Sequence, residues 1–153
     1  MTQPHRTYES SHSHPSADLV ILMPIFNDWK AAGALIDQID SVLTPHHIRP
    51  LIFLVDDGSS VPVPVGLANK SLRMVSKIDV LHLRRNLGHQ RAIAVGLTYL
   101  FEYVPCQAVV VMDSDGEDRP EDIPRLIAEF HKSGRNKVIF AKRTKRMETP
   151  MFK

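Results

Sequence analysis

The sequence AVVVMDSDGEDRPED, residues 108–122, decides how the rest of the chain is interpreted. Its first five residues are apolar and are typical of a short buried strand. Acidic residues follow at once, beginning with Asp113 and Asp115, and Pro120 is then well placed to begin a helix. Ligands of an open α/β sheet bind beyond the carboxyl ends of its strands, so we expect both aspartates to lie at a ligand site. Carboxylates this close repel one another unless a cation lies among them, and Mg²⁺ or Mn²⁺ suits such oxygen ligands. In isolation, Asp-x-Asp is more often a solvated acidic loop than a metal site.

Composition limits the classes of protein to which the chain can belong. Its 153 residues, 43% hydrophobic and 24% charged, are ordinary for one soluble globular domain. The formal net charge of +2 gives no reason to expect nucleic acid as a partner. A single cysteine, Cys106, excludes an internal disulfide framework and fits a reducing compartment. Because there is no secretory signal and no apolar run of roughly 18 residues, we expect a cytoplasmic protein that could meet a membrane at its surface.

Strand and helix patterns alternate along the chain, which predicts an α/β fold with a mostly parallel sheet. The predicted strands are 19–23, 51–55, 78–83, 108–112 and 138–141. Helices are expected from Asn27, as N-cap, to Leu43, over 92–103, and from Pro120 to a C-terminal cap at Gly134, with a further short helix one interpretation of 67–75. Residues 1–17 are expected to be a disordered tail, 18–143 an incomplete domain and 144–153 a linker.

Three polar loops follow predicted strands and should therefore meet at one edge of a parallel sheet. They are residues 24–28, 56–60 and 113–118. Carboxylates at strand ends accept hydrogen bonds from nucleotides in other α/β proteins. Arginine suits bidentate contacts with phosphate, and the candidates are Arg84, Arg85, Arg91 and Arg143. The convergence favours a site for a phosphate-bearing ligand over a purely structural loop.

Four motifs, in this order, resemble family 2 glycosyltransferases, and among these the polyprenyl-phosphate sugar synthases of the dolichol-phosphate mannosyltransferase type. They are MPIFND at 23–28, VDDGS at 55–59, NLGHQRAIAVGL at 86–97 and MDSDGEDRPE at 112–121. The resemblance implies a Rossmann-like GT-A fold lacking its C-terminal part, with a mostly parallel central sheet flanked by helices. It also implies a nucleotide-diphosphate sugar donor, Mg²⁺ or Mn²⁺, inversion at the sugar, and a lipid-phosphate acceptor such as a polyprenyl phosphate, or a saccharide acceptor. The acceptor site and the catalytic base are expected after Lys153.

The resemblance implies roles for residues that match the motifs. Asp56 is expected to bind the base and Asp57 to support its loop. Asp28 stands where the family usually has glutamate. The nucleotide-sugar-binding residues implied by the resemblance are Pro24, Phe26, Asn27, Asp28, Asp56, Asp57, Gly88, Ala92, Asp113, Ser114 and Arg143.

The implied metal residues are Asp113, Asp115 and Glu117, the last at a position where relatives often carry glutamine. Three other classes remain open at this point. A receiver-like signalling module gathers aspartates at strand ends, and a haloacid dehalogenase phosphatase uses Asp-x-Asp, although after its first strand. A truncated or degenerate nucleotide-sugar-binding domain would keep the donor site without turnover.

Overall fold

A computed structural model of the protein describes residues 17–141, which form a parallel sheet with helices on both faces. The strands are β1 (Ala17–Ile25), β2 (Pro50–Asp56), β3 (Lys77–His82) and β4 (Cys106–Val111), and the helices are α1 (Trp29–Leu43), α2 (His89–Tyr103) and α3 (Ile123–Lys132). Short 3₁₀ turns at Thr44–His46 and Pro120–Asp122 follow α1 and precede α3. The predicted linker, Arg143 and all but the last residue of the predicted tail lie outside the described residues. No helix within residues 17–141 has the length and apolar character that a bilayer span requires.

The strand order is β3-β2-β1-β4, and every pairing is parallel. This is the order of half a Rossmann sheet and differs from the 2-1-3-4-5 order of flavodoxin-like folds, which receiver domains share. In the register, Ile25 pairs with Asp56 and Leu22 pairs with Val111. The loops after β1, β2 and β4 therefore leave the sheet at the same edge, as predicted, and strand order reverses between β1 and β4.

Alternating residues of β1 supply the core on both faces of the sheet. Ile21 and Met23 pack with α1 and with Ile123 at the start of α3, whereas Val20 and Leu22 pack with α2. Helix α2 touches the sheet at Gly96, where an added Cβ would lie 2.7 Å from side-chain atoms of Leu22 and Val55. This close contact fixes the start of α2 at the carboxyl edge of the sheet.

Two predictions at the end of β1 need correction. The strand continues through Pro24 to Ile25 instead of ending at the proline. A proline is tolerated there because pairing with β4 ends at Val111, and the hydroxyl of Ser114 donates to the Pro24 carbonyl on that side. The N-cap of α1 is Asp28, whose Oδ1 accepts from Ala31 N–H at 3.2 Å. Asn27 lies one residue too early, because its left-handed backbone (φ 62°) places its side chain against another loop.

Three further elements differ from the prediction. Residues 138–141 form no strand: Val138 and Phe140 are 78% and 86% exposed, because an apolar run becomes a strand only when a neighbouring backbone pairs with it. Residues 67–75 form turns, since the N–H groups of 73–75 donate to the Asp40 carboxylate instead of to a helix. Pro120 begins a 3₁₀ turn, and α3 begins at Ile123. Gly134 follows the C-cap of α3 with φ 77°, which confirms that cap.

Candidate functional site

A cleft of about 400 Å³ opens at the carboxyl edge of the sheet, where the strand order reverses between β1 and β4. Such reversal points are where open α/β sheets bind nucleotides. Seven residues from the ends of β1 and β4 and from the start of α2 line it: Pro24, Phe26, Asp28, His89, Asp113, Ser114 and Asp115. All except His89 are site residues predicted from the sequence, so the structure brings together residues that are up to 91 positions apart (24 to 115).

The loop after β4 is folded on itself by its own carboxylates. The N–H of Asp113 donates to Asp118 Oδ2 at 2.9 Å, and Asp115 Oδ1 accepts from Glu117 N–H at 2.9 Å. Gly116 allows the tight turn with φ 84°. Asp118 was not among the predicted site residues, although a turn-forming aspartate is a typical partner for a nearby backbone N–H. The turn keeps the Asp113 and Asp115 side chains at the wall of the cleft.

His89 places an imidazole among the cleft carboxylates. Its Nε2 lies 3.2 Å from Asp113 Oδ1, and it is the first residue of α2. Gly88, the N-cap, has φ 90° and open space where a Cβ would be, and its predicted contact with a ligand stays a prediction. His89 was missed as a site residue, although it follows Gly88 within the matched motif. It places a ring nitrogen directly beside the acidic wall of the cleft.

Asp57 supports the loop that leads into α2. Its carboxylate is almost fully buried and accepts from the N–H groups of Leu87 at 2.7 Å and Gly88 at 2.9 Å. The neighbouring Gly58 has φ 74°, and a Cβ there would lie 2.5 Å from the Arg85 carbonyl carbon. The loop after β2 and the loop before α2 are therefore in direct backbone contact, and this position requires glycine.

Asp56 occupies a different environment from the cleft aspartates. It is buried, its Oδ1 accepts from Ser59 N–H at 2.9 Å, and its Oδ2 lies 2.8 Å from His82 Nδ1. Burial alone would raise the pKa of this carboxyl group, but the hydrogen bonds from Ser59 and His82 outweigh burial and lower the pKa below its ordinary value. Asp56 does not line the cleft itself, and its contact with a base stays a prediction.

Asn27 holds two loops together and is not a wall of the cleft. Its Oδ1 accepts from the N–H groups of Ser60 at 2.8 Å and Val61 at 3.0 Å, while its own N–H donates to Ser59 Oγ at 2.8 Å. Trp29 reinforces this contact, since its Nε1 donates to the Val61 carbonyl at 2.9 Å. These bonds tie the end of β1 to the loop after β2, so the amide of Asn27 acts in loop packing.

Other predicted residues lie away from the cleft. Ala92 is fully buried between α2 and the sheet, so its small side chain serves helix packing. Arg84, Arg85 and Arg91 are exposed. A larger apolar cavity of about 550 Å³ lies between β4 and α3 and contains none of the predicted ligand residues. The cleft at the strand reversal is therefore the candidate site.

The predicted metal residues are only partly assembled. Among residues 17–141, no three His, Cys, Asp or Glu side chains are grouped so as to hold a metal ion. Asp113 and Asp115 line the cleft, whereas Glu117 is exposed and is not part of its wall. Mg²⁺ usually binds proteins through one or two carboxylates and completes its coordination with water and substrate phosphates. The two cleft aspartates fit a divalent cation of this kind, shared with a diphosphate.

Comparison with known proteins identifies the family. A family model described as glycosyl transferase family 2 matches residues 20–151. Dodecaprenyl-phosphate galacturonate synthase from Rhizobium johnstonii is 26% identical over 117 residues, which cover 76% of this chain and 33% of that protein. The crystal structure of S. aureus TarS 1–349 is similar with a TM-score of 0.54 and 21% identity, over 74% of this chain and 33% of the TarS chain.

The chain thus spans about a third of the length of each of these two proteins. The likeness to TarS confirms the predicted GT-A type of fold, with its mostly parallel sheet and flanking helices. The family match excludes the receiver and phosphatase interpretations, since it spans nearly all of the described domain. On the evidence of its sequence motifs and of that match, this chain belongs to glycosyl transferase family 2.

Proposed function

We propose that the cleft binds a nucleotide-diphosphate sugar, and that proteins containing this domain transfer the sugar to an acceptor. The observation that carries the proposal is the presence of Asp113 and Asp115 in one cleft with the end of β1 and the start of α2. A diphosphate in this cleft would meet the N-terminus of α2, and the dipole at a helix N-terminus favours anions. His89 at the same helix end adds a donor.

Asp113 and Asp115 would hold Mg²⁺ or Mn²⁺ together with oxygens of the donor diphosphate. The bound cation would neutralise charge that grows on the departing nucleoside diphosphate. Asp115 is proposed as the principal metal ligand, and Asp113 as a second ligand that also contacts the donor. Phe26, about half exposed at the cleft wall, offers an apolar surface to the nucleotide.

In the proposed transfer, the anomeric carbon of the sugar loses its bond to the diphosphate and gains a bond to an acceptor oxygen. An acceptor oxygen attacks the anomeric carbon from the face opposite the diphosphate, the bond between that carbon and the diphosphate breaks, and the configuration is inverted. A hydroxyl acceptor would have to pass its proton to a base, which we place after Lys153 in the longer proteins, whereas a phosphate oxygen is already ionised near neutral pH and needs no base. A polyprenyl phosphate is the proposed acceptor because the similar Rhizobium protein is named as a dodecaprenyl-phosphate sugar synthase. An acceptor of this kind would bring the protein to a membrane surface.

Calorimetric titration of the 153-residue chain tests donor binding directly. UDP-, GDP- and dTDP-sugars are titrated with Mn²⁺ and with EDTA, using wild type and Asp115→Ala. We expect one class of donor to bind in the presence of Mn²⁺ and to lose most of its affinity with EDTA or with Asp115→Ala. Equal binding by wild type and Asp115→Ala, or no binding of any donor, would contradict the proposed site.

Donor binding without turnover by this chain is the second candidate. It is favoured by the extent of the chain, which covers a third of the galacturonate synthase. Incubation with radiolabelled nucleotide sugar and Mn²⁺, with and without a polyprenyl phosphate, separates the two. Labelled lipid would show transfer, whereas donor binding without labelled lipid would assign this chain to the binding step alone.

A further inference from the structure

We propose that His82 is a positioning residue for Asp56 and thereby determines how tightly the site holds the nucleotide base. The inference rests on the proposed function, because it concerns the carboxylate expected to recognise the base. Nδ1 of His82 lies 2.8 Å from Asp56 Oδ2. The Asp56 side chain is 9% exposed and the His82 side chain 58% exposed, so the pair lies at the surface of the edge, with the imidazole outermost.

The sheet itself brings the two side chains together. Asp56 and His82 are partners in the parallel register of β2 and β3, at the carboxyl end of both strands. The next residue along the chain, Leu83, donates its N–H to the Asp56 carbonyl at 2.9 Å. Residues paired on neighbouring strands have side chains on the same face of a sheet. The imidazole is therefore held by strand pairing beside the carboxylate and does not depend on a loop to reach it.

Both oxygens of the Asp56 carboxylate are held, which fixes the plane of the group. Ser59 N–H donates to Oδ1 at 2.9 Å and His82 lies at Oδ2. An ionised carboxylate has about four acceptor positions, so capacity remains for a ligand donor. Because such a group only accepts, it binds an N–H donor of the base, such as the ring N–H of uracil, thymine or guanine. A carboxylate that is already oriented binds that N–H at a lower entropic cost than a freely rotating one.

The contact requires a proton on Nδ1 of His82, because an unprotonated nitrogen and a carboxylate oxygen are both acceptors. The assignment follows from the distance and from the ionised state expected of Asp56 near neutral pH. An asparagine at this position can present an amide N–H close to where Nδ1 lies and does not titrate. His82→Asn is therefore the conservative variant, and His82→Ala removes the donor.

Calorimetric titrations with UDP, GDP and inorganic pyrophosphate, each with Mn²⁺, test the positioning role. A hydrogen bond to a charged group predicts that His82→Ala weakens binding of UDP or GDP about tenfold. Pyrophosphate lacks a base, so its affinity is expected to change less than about twofold, within the usual range for a change at a distant surface position. His82→Asn should restore most of the nucleotide affinity. His46→Ala is the matched control, because His46 is an exposed histidine in the 3₁₀ turn that precedes β2, at the opposite edge of the sheet.

The outcomes separate this inference from the proposed function. Failure of wild type to bind UDP, GDP or any donor sugar overturns the proposed function and the role of His82 with it. Normal nucleotide binding by His82→Ala overturns the role of His82 alone. An equal loss of pyrophosphate affinity also overturns it, since that result would indicate general damage to the site.

An NMR measurement on wild type keeps the inference testable if His82→Ala does not fold. UDP or GDP is expected to shift the imidazole signals of His82, while pyrophosphate leaves them in place. Imidazole signals that respond to neither nucleotide, or respond equally to pyrophosphate, would overturn the inference.

Discussion

Two pairs of aspartates follow strands of the same sheet and end in opposite environments. Asp56 and Asp57, after β2, are 6% and 3% exposed, and each accepts a backbone N–H from a loop. The Asp113 side chain, after β4, is 37% exposed, and Asp113 and Asp115 both line the cleft. The first pair is therefore built into the loops at the carboxyl edge through its hydrogen bonds, whereas the second pair faces the open cleft.

The position of each strand in the sheet accounts for this difference. Strand β2 lies between β3 and β1, so the loops of its neighbours cover its carboxyl end on both sides. Strand β4 is the last strand of the described sheet, and the loop that follows it is covered by β1 on one side. A buried carboxylate is stable only when hydrogen bonds replace its hydration, and the loops after β2 provide them. The carboxylates after β4 line the open cleft and remain accessible to solvent, as the proposed cation site requires.

Asp57→Asn is expected to have the largest effect, a loss in the free energy of unfolding. The amide keeps one acceptor oxygen but places an NH₂ group against one of the two donors, Leu87 N–H or Gly88 N–H. The loss of a buried charged hydrogen bond should lower the free energy of unfolding by about 3 kcal/mol, which urea denaturation measures. Asp113→Asn, in the partly exposed pair, is the control and should cost less than about 1 kcal/mol. Equal losses in the two variants would remove the distinction between the pairs.

The next largest effect is on ligand affinity, with Asp115→Asn. Removal of a cleft charge should weaken Mn²⁺-dependent binding of the preferred donor sugar about 30-fold, equivalent to about 2 kcal/mol, while urea denaturation changes little. Glu121→Gln is the matched control, because Glu121 is an exposed carboxylate in the same acidic segment and does not line the cleft. If Asp115→Asn instead lowered stability and left donor binding intact, Asp115 would belong with the structural pair.

Local patterns predict much of this edge but not the long-range hydrogen bonds within it. The apolar runs and the aspartates that end them correctly predicted β2, β4 and the edge of the sheet at which their loops meet. The role of Asn27 could not be predicted, because its amide contacts residues 33 and 34 positions away. The same holds for His82, which meets Asp56 only through pairing of β2 with β3. An asparagine can accept backbone N–H groups either as the N-cap of a helix or from a distant loop. The sequence alone therefore favoured the local role of Asn27, that of N-cap.

The false strand at 138–141 has a related cause. A run of four apolar residues satisfies the strand pattern, yet a strand forms through hydrogen bonds to another backbone, which local sequence does not specify. The sequence left the conformation of residues 67–75 open because it depends on a residue that is distant in sequence. Their conformation is set by Asp40, which lies more than 30 residues earlier on α1 and accepts from three consecutive backbone N–H groups.

Asp40 is a third buried carboxylate, and its contribution to stability can be compared with that of Asp57. Burial alone would raise its pKa, but hydrogen bonds from Val75, Arg73 and Met74 lower the pKa below the ordinary value of 3.8. Since the folded pKa is the lower one, the stabilisation is complete above the unfolded pKa and is lost as pH falls through the folded pKa. The wild-type free energy of unfolding should therefore fall from pH 5 to pH 3.

Asp40→Asn should cost about 1.5 kcal/mol at pH 7 and progressively less as the pH falls below about 4, because the stabilisation that wild type gains from this charge declines there. Urea denaturation at a series of pH values measures the difference. Asp37→Asn, an exposed carboxylate on the same helix that pairs with Lys70, is the control and should cost less than about 1 kcal/mol. A constant difference between Asp40→Asn and wild type at every pH would show that the charge of Asp40 does not contribute to stability.

The smallest expected effect is that of Ser114→Ala, which removes a hydrogen bond between the loop after β4 and the end of β1. Ser114 Oγ donates to the Pro24 carbonyl at 3.1 Å, just beyond the last pairing of β1 with β4. Ser114→Ala should lower the free energy of unfolding by about 1 kcal/mol, the usual contribution of a neutral hydrogen bond. Because the bond holds the β4 loop against Pro24, the same variant should also weaken Mn²⁺-dependent donor binding about threefold, a change well below that of Asp115→Asn.

Ser133→Ala, which removes a hydroxyl bonded to the Phe130 carbonyl at the end of α3, should lower stability similarly but leave donor affinity unchanged. Equal donor affinities for the two serine variants would show that the cleft carboxylates keep their positions without the contact to β1.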